Sequence, residues 1–313
     1  MRPRGSRTRR TRRLAVTVVL TTVVAGGLSG CSTTSASSPT PTAGRSSPPV
    51  TRDTRPLVTL SQLPLVDHSR PVVSDGVVVD NQRDLPTTVW TPSGKGPFPL
   101  VVFVHGYDKG PLDYRRFCAA LASAGYVVAA PSFPQEDPAR GFALDRAHLS
   151  DEAADVAFVI TAIDRHHLPR VDGARLGVVG HSDGADAALL VGYGAGTVDP
   201  RVDAVVADAP DPMPVAAVPS PVPLLLVQGT SDSVVPFSAS EAVFDQVDAP
   251  VSYVTLIGAD HLPPIIGGSP WTPVLDDAVA HFLDATVAHR GPGIGSLPAL
   301  LARSPLVRFE SKG

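Results

Sequence analysis

From Val77 to His289, short continuous apolar runs alternate with segments of helical period. That alternation constrains the chain more than any other feature, because strands apolar throughout must be covered on both faces. Runs at Val77–Val79, Leu85–Trp90, Leu100–Val104, Tyr126–Ala130, Arg175–Gly180, Val202–Ala207, Leu224–Val227 and Val251–Leu256 read as strands, the first two joined by the polar turn Asp80–Asp84. Helical periodicity marks Asp113–Ala124, Leu149–His166, Ser182–Tyr193, Ser238–Val247 and Thr272–His289. The second of these has Ser150 as its expected N-cap, with Asp151 and Glu152 in the first turn. The pattern predicts one α/β domain, a mostly parallel sheet with helices on both faces.

Within that pattern, Gly180-His181-Ser182-Asp183-Gly184 matches G-x-S-x-G, directly after a strand and at the start of a helix. A serine on so sharp a turn needs flanking residues without bulk, which Gly180 and Gly184 supply, and Ala185, Ala187 and Ala188 keep the helix thin where it meets the sheet. The alternative is a glycine-rich turn with an incidental serine. A serine hydroxyl attacks only if a base takes its proton and an acid orients that base. Downstream of Ser182, His281 and His289 lie inside a helix, whereas His261 follows the last strand in a loop, so His261 is the expected base. Asp232 is favoured as the acid because it sits in a Gly-containing turn after the penultimate strand. Asp208 and Asp211 compete, and Asp260 adjoins His261 too closely to reach around to its ring. A developing oxyanion needs donors, and the main-chain N–H groups of Asp183 and Tyr107 are the expected pair. Gly106 would allow close approach, and His105 would organise its own loop by hydrogen bonding.

His105-Gly106-Tyr107, Gly180 to Gly184, Gly229-Thr230-Ser231-Asp232 and Asp260-His261 occur in an order that resembles the α/β-hydrolases. Within that superfamily, Leu100 to Phe133 is similar to the compact branch of chlorophyllases, platelet-activating-factor acetylhydrolases, dienelactone hydrolases and cutinase-type polyester hydrolases. The resemblance spans roughly residues 70–289. It implies a carboxylic-ester hydrolase working through Ser182, His261 and Asp232 on a small-molecule or lipid-like ester, with no cofactor. Two departures stand out. The dienelactone enzymes use a cysteine nucleophile, and the cutinase-type enzymes carry a disulfide. No long insertion separates the strands ending at Ala207 and starting at Leu224, so no large lid is expected, although the loop Pro210–Pro223 can rim the site.

The leader is a different object. Residues 1–30 hold seven arginines and no acid, and Leu14–Leu28 is an apolar run of signal-peptide length ending in Leu28-Ser29-Gly30-Cys31. This resembles a bacterial lipobox, in which Cys31 would carry the lipid. The clustered arginines fit either a general or a twin-arginine export route. Residues 31–56, rich in Ser, Thr and Pro, read as a tether, 57–289 as the hydrolase domain and 290–313 as a tail that either packs on the domain, touches a membrane or stays loosely ordered. The net charge of −4 therefore averages a basic leader with a remainder of 19 basic and 30 acidic residues. Such a domain disfavours nucleic acid as a partner. It is expected to be exported and held at the outer face of the cell membrane, or secreted. With Cys31 consumed, Cys118 stands alone in a helical pattern and reads as a packing residue. His166-His167 lacks metal-ligand spacing, so no metal is expected. Two rivals accompany the esterase reading: a non-catalytic envelope protein on the same fold, and a thioesterase, amidase or peptidase on the same three residues.

Overall fold

The computed structural model describes residues 57–313, apart from 167 and 169. The expected signal segment, the lipid site at Cys31 and the tether lie outside the described residues.

The described residues open with four strands, β1 (Val58–Asp67), β2 (Val72–Ser74), β3 (Val77–Asp80) and β4 (Arg83–Pro92). Next come β5 (Phe98–Val104), α1 (Arg115–Ser123), β6 (Val127–Pro131), α2 (Leu149–Arg165), β7 (Val171–His181) and α3 (Asp183–Tyr193). The C-terminal part holds β8 (Ala204–Asp208), β9 (Leu224–Gly229), α4 (Phe237–Gln246), β10 (Val251–Leu256), α5 (Pro263–Ile266), α6 (Thr272–Thr286), α7 (Leu297–Leu301) and β11 (Val307–Lys312).

Nine of these strands form one sheet in the order β1-β4-β6-β5-β7-β8-β9-β10-β11. The block from β6 to β10 is parallel, and β1, β4 and β11 run antiparallel to their neighbours. Alternate residues of each central strand feed two cores. Leu100, Val102 and Val104 of β5 pack with α2 and α3, while Val101 and Phe103 pack with α1 and α6. That is why these strands read as unbroken apolar runs: neither face meets water. Cys118 is fully buried in the α1 layer, as a packing residue would be. Among the described residues no helix is long and apolar enough to cross a membrane.

Several expectations need correction. Val77–Val79 and Leu85–Trp90 do not belong to one sheet. β3 pairs with β2 in a separate hairpin, and β4 enters the main sheet between β1 and β6. Arg83 is not a turn residue. It is fully buried, and its guanidinium grips Asp155 of α2 through Nε at 2.7 Å and Nη2 at 2.6 Å. Ser150 does not cap α2, because a short 3₁₀ turn at Arg146–His148 leads directly into the helix, and Asp145 caps that turn through the Ala147 N–H at 2.9 Å. Residues 290–313 are not a separate tail. Leu297 and Leu301 are buried against the α6 side, and β11 pairs with β10 along its whole length. The charged sequence of β11 suits an edge strand, where a run of charges discourages further pairing.

α2 also buries two carboxyl groups. Glu152 is fully buried, and neither of its oxygens meets a donor, nor does Oε2 of Glu136 opposite it. The two can hydrogen-bond to each other only if one carries a proton. Burial pushes the Glu136 carboxyl up to about 7 and drives Glu152 well above its ordinary value, with Glu136 adding to the shift. A carboxyl whose folded pKa is raised holds its proton more tightly in the native state, so stability falls as pH rises from about 4.5 through about 7. Glu152→Gln supplies an amide donor to Glu136 and removes one charge. It should stabilise the protein by about 1–3 kcal/mol at pH 8 and by little at pH 4.5. Thermal unfolding across that range tests this, and an equal shift at both ends would contradict it.

Candidate functional site

The site lies at the carboxyl ends of β5, β7, β9 and β10, where the loops after parallel strands converge. Ser182 occupies the joint between β7 and α3 with φ 57° and ψ −131°, a conformation that a residue with a side chain rarely adopts. Its N–H donates to the Asp208 carbonyl at 2.9 Å, and its carbonyl accepts from Ala185 N at 2.7 Å. Close packing holds the strain. A Cβ on Gly180 would sit 2.0 Å from the Gly184 oxygen, and one on Gly184 would sit 2.2 Å from the Val104 oxygen. The loop after β5 presses on the same turn, since a Cβ on Gly106 would meet Ser182 Cβ at 2.9 Å.

Gly106, Tyr107, Ser182, Asp183 and His261 all line one open cleft of about 360 Å³. Among the described residues, neither the Tyr107 nor the Asp183 amide donates to a protein acceptor. Both amides therefore flank Ser182 with hydrogens to offer. Tyr107 is further held by its hydroxyl, which donates to the Phe142 carbonyl at 2.8 Å.

His261 is buried in the loop after β10, and its Nδ1 lies 2.8 Å from Asp232 Oδ2. Asp232 accepts three further hydrogen bonds: Val234 N at 2.9 Å and Val235 N at 2.8 Å on Oδ1, and Gln228 Nε2 at 2.9 Å on Oδ2. Burial alone would raise this carboxyl, but the His261 hydrogen bond and the two amides outweigh it and hold Asp232 below its ordinary value. Asp232 is thus held as a carboxylate, Nδ1 of His261 carries the proton between them, and in the neutral ring Nε2 keeps a lone pair.

The competing acids are placed differently. Asp208 pairs in register with His181, is buried, and its Oδ2 has no partner. Burial, with Asp232 beside it, pushes its carboxyl well above the ordinary range, which disfavours the charged form that an orienting acid needs. Asp211 and Asp186 both bind Arg146, at 3.0 and 2.7 Å, and Asp183 completes that cluster at 3.4 Å. Asp260 clips two loops together: its Oδ1 accepts from His261 N at 2.8 Å and from Ser233 N at 2.9 Å. His105 sits behind the cleft, donating from Nδ1 to the Gly106 carbonyl at 3.0 Å and accepting from Phe133 N at 3.3 Å, and burial pushes it down to about 4.

Sequence reasoning missed Gln228, whose buried amide steadies Asp232, and Arg146, which reaches the cleft from the 132–148 loop together with Leu144. Neither residue sits in a motif, so only the fold reveals them. A groove of about 320 Å³ lined by Leu100, Ile160, Asp164 and Arg201 has no serine, cysteine or histidine among its lining residues.

A family model described as Chlorophyllase matches residues 73–219, just under half of the chain. Chlorophyllase-1, chloroplastic, from Citrus sinensis is 30% identical over 118 residues, covering 36% of this chain and 35% of that protein. Chlorophyllase-1 from Arabidopsis thaliana is 28% identical over 121 residues, 37% of this chain and 36% of the relative. The peroxisomal succinyl-coenzyme A thioesterase of Mus musculus is 31% identical over 127 residues, 40% of this chain and 28% of the relative. The matched stretch thus spans about a third of the length of these relatives. The family match includes the Gly106 loop and the Ser182 turn and ends before Asp232 and His261, whose placement rests on the fold.

Proposed function

Since the chain belongs to the α/β-hydrolase superfamily, in its chlorophyllase-type branch, we propose that it is a serine hydrolase that cleaves carboxylic esters through an acyl-enzyme on Ser182. The observation that carries this reading is the Asp232–His261 pair at 2.8 Å, whose histidine lines one cleft with a serine held in a strained turn. Ser182 Oγ attacks the ester carbonyl carbon while its proton passes to His261 Nε2. The tetrahedral oxyanion accepts hydrogen bonds from the Tyr107 and Asp183 amides. Collapse breaks the bond to the alcohol oxygen, which leaves with the proton from His261. Water then attacks the acyl carbon, gives its proton to His261, and the acid departs as Ser182 recovers the proton. No cofactor takes part. The exposed Leu144 and Val234 on the rim favour an apolar, lipid-like ester, and in this reading the domain works outside the cell membrane, tethered through a lipid on Cys31.

A thioester is the second reading, supported by the similarity to the mouse thioesterase. Initial rates on acyl-matched nitrophenyl esters, thioesters and amides separate the two. We expect ester turnover to exceed amide turnover by about 100-fold or more, and a thioester rate above the ester rate would overturn the ester assignment. In the same cells, Cys31→Ser should move the activity from the membrane pellet to the soluble fraction; activity that stays in the pellet would refute the anchor.

A further inference from the structure

Two buried side chains that line the cleft, Tyr114 and His181, take no part in the proposed chemistry and form a directed hydrogen-bond chain. The Gly106 N–H donates to the Tyr114 hydroxyl at 3.4 Å, the Tyr114 O–H donates to His181 Nδ1 at 3.0 Å, and His181 Nε2–H donates to the main-chain carbonyl of His261 at 3.2 Å. The directions are forced. A carbonyl only accepts, so Nε2 carries the ring proton and Nδ1 of a neutral ring is left as an acceptor. The tyrosine hydrogen is then committed to Nδ1, and its oxygen is free to accept from Gly106. A neutral ring is the form the site favours: His181 is 1% exposed, and burial, with His261 facing it, pushes it down to about 3. The His181 and His261 rings lie 4.6 Å apart, tilted by 49°.

The chain joins three segments distant in sequence. Gly106 precedes Tyr107 in the loop after β5, His181 precedes Ser182, and the accepting carbonyl belongs to His261 itself. Volume alone does not call for this arrangement, because apolar side chains could fill the space without burying the Tyr114 hydroxyl and the two ring nitrogens of His181. Resting on the hydrolase reading above, we infer that His181 and Tyr114 are positioning residues, which hold the Gly106–Tyr107 amide loop and the main chain of His261 at a fixed spacing on either side of Ser182. The contribution belongs to the transition state. The substrate carbonyl binds loosely to the amides, whereas the tetrahedral oxyanion needs them aligned with the base that has just taken the Ser182 proton. Misplacement of such groups by about 1 Å costs on the order of 100-fold in rate.

Tyr114→Phe removes one oxygen and leaves the ring packing against Phe103 in place. We expect kcat to fall by roughly 10- to 100-fold with KM unchanged within about twofold, and the affinity for an alkyl trifluoromethyl ketone, which forms the tetrahedral adduct, to fall by the same factor. His181→Gln should act through the same chain, so the double variant should be no slower than the slower single one. Full kcat in Tyr114→Phe would overturn the inference, as would a loss carried equally by KM, or strict additivity in the double variant. These outcomes leave the hydrolase reading intact if the wild-type protein reacts with a fluorophosphonate. A wild-type protein that neither reacts nor turns over esters would overturn both.

Discussion

Replacing Ser182 by alanine should lower ester kcat/KM by about 10⁴- to 10⁶-fold and abolish labelling by a fluorophosphonate, with the melting temperature unchanged or raised. The size of the loss follows from the division of labour in the cleft. Without Oγ no acyl-enzyme forms, and the amides of Tyr107 and Asp183 can assist only a direct attack by water. The direction of the stability change follows from the backbone. Ser182 stands at φ 57°, held by contacts that leave no room for a Cβ at Gly180 or Gly184. Alanine there keeps the same unfavourable conformation and loses only the hydroxyl. Residues at such joints carry strain on behalf of chemistry, so their removal seldom costs stability. A variant that keeps more than about a hundredth of wild-type turnover would refute Ser182 as the nucleophile.

The turn around Ser182 was legible in sequence because its determinants are local: a strand, two glycines and a helix of small residues within a few positions. The central strands were equally legible, because burial on both faces writes an unbroken apolar run. The edges were not. β1 has only scattered buried positions and carries Pro64, which is tolerated in an edge strand and otherwise reads as a breaker. β11 exposes half of its residues and looks like a polar tail until β10 pairs with it. Glu152 does lie in the first turn of α2, as the sequence predicts, but its burial was not legible. An acidic residue in the first turn of a helix ordinarily favours the positive end of the dipole at the surface. Here that position faces inward, against Glu136. The chain of Gly106, Tyr114 and His181 was hidden for the reason that matters most to the site. Its members lie far apart in sequence, and each is unremarkable in its own segment.

The same limit of sequence applied to the acid, where Asp208 ends β8 and Asp232 lies in the turn after β9; the structure separates them by what each carboxyl meets, and that difference sets the expected results. Asp232→Asn should lower kcat/KM by roughly 10³- to 10⁴-fold. Each oxygen of Asp232 takes two donors: the Val234 and Val235 amides on Oδ1, and Gln228 Nε2 and His261 Nδ1 on Oδ2. An asparagine NH₂ placed on either side therefore faces two donors. Where it faces His261, the ring is relieved only by moving its proton from Nδ1 to Nε2, which removes the lone pair that accepts the Ser182 proton. Where it faces the two amides, the Val234–Val235 turn has to open, and the carboxylate that would stabilise the imidazolium is still gone. Asp208→Asn should instead leave kcat/KM within about threefold, because burial disfavours the charged form of that carboxyl and its Oδ2 meets no donor. If Asp208 served as the acid, the order would reverse, and if the two shared the role, Asp232→Asn would keep more than about a tenth of the activity and lose the remainder only in the double variant. Steady-state rates for the two single variants and the double one decide among these outcomes. A double variant no slower than Asp232→Asn, beside a nearly wild-type Asp208→Asn, is the result that the four hydrogen bonds on Asp232 require.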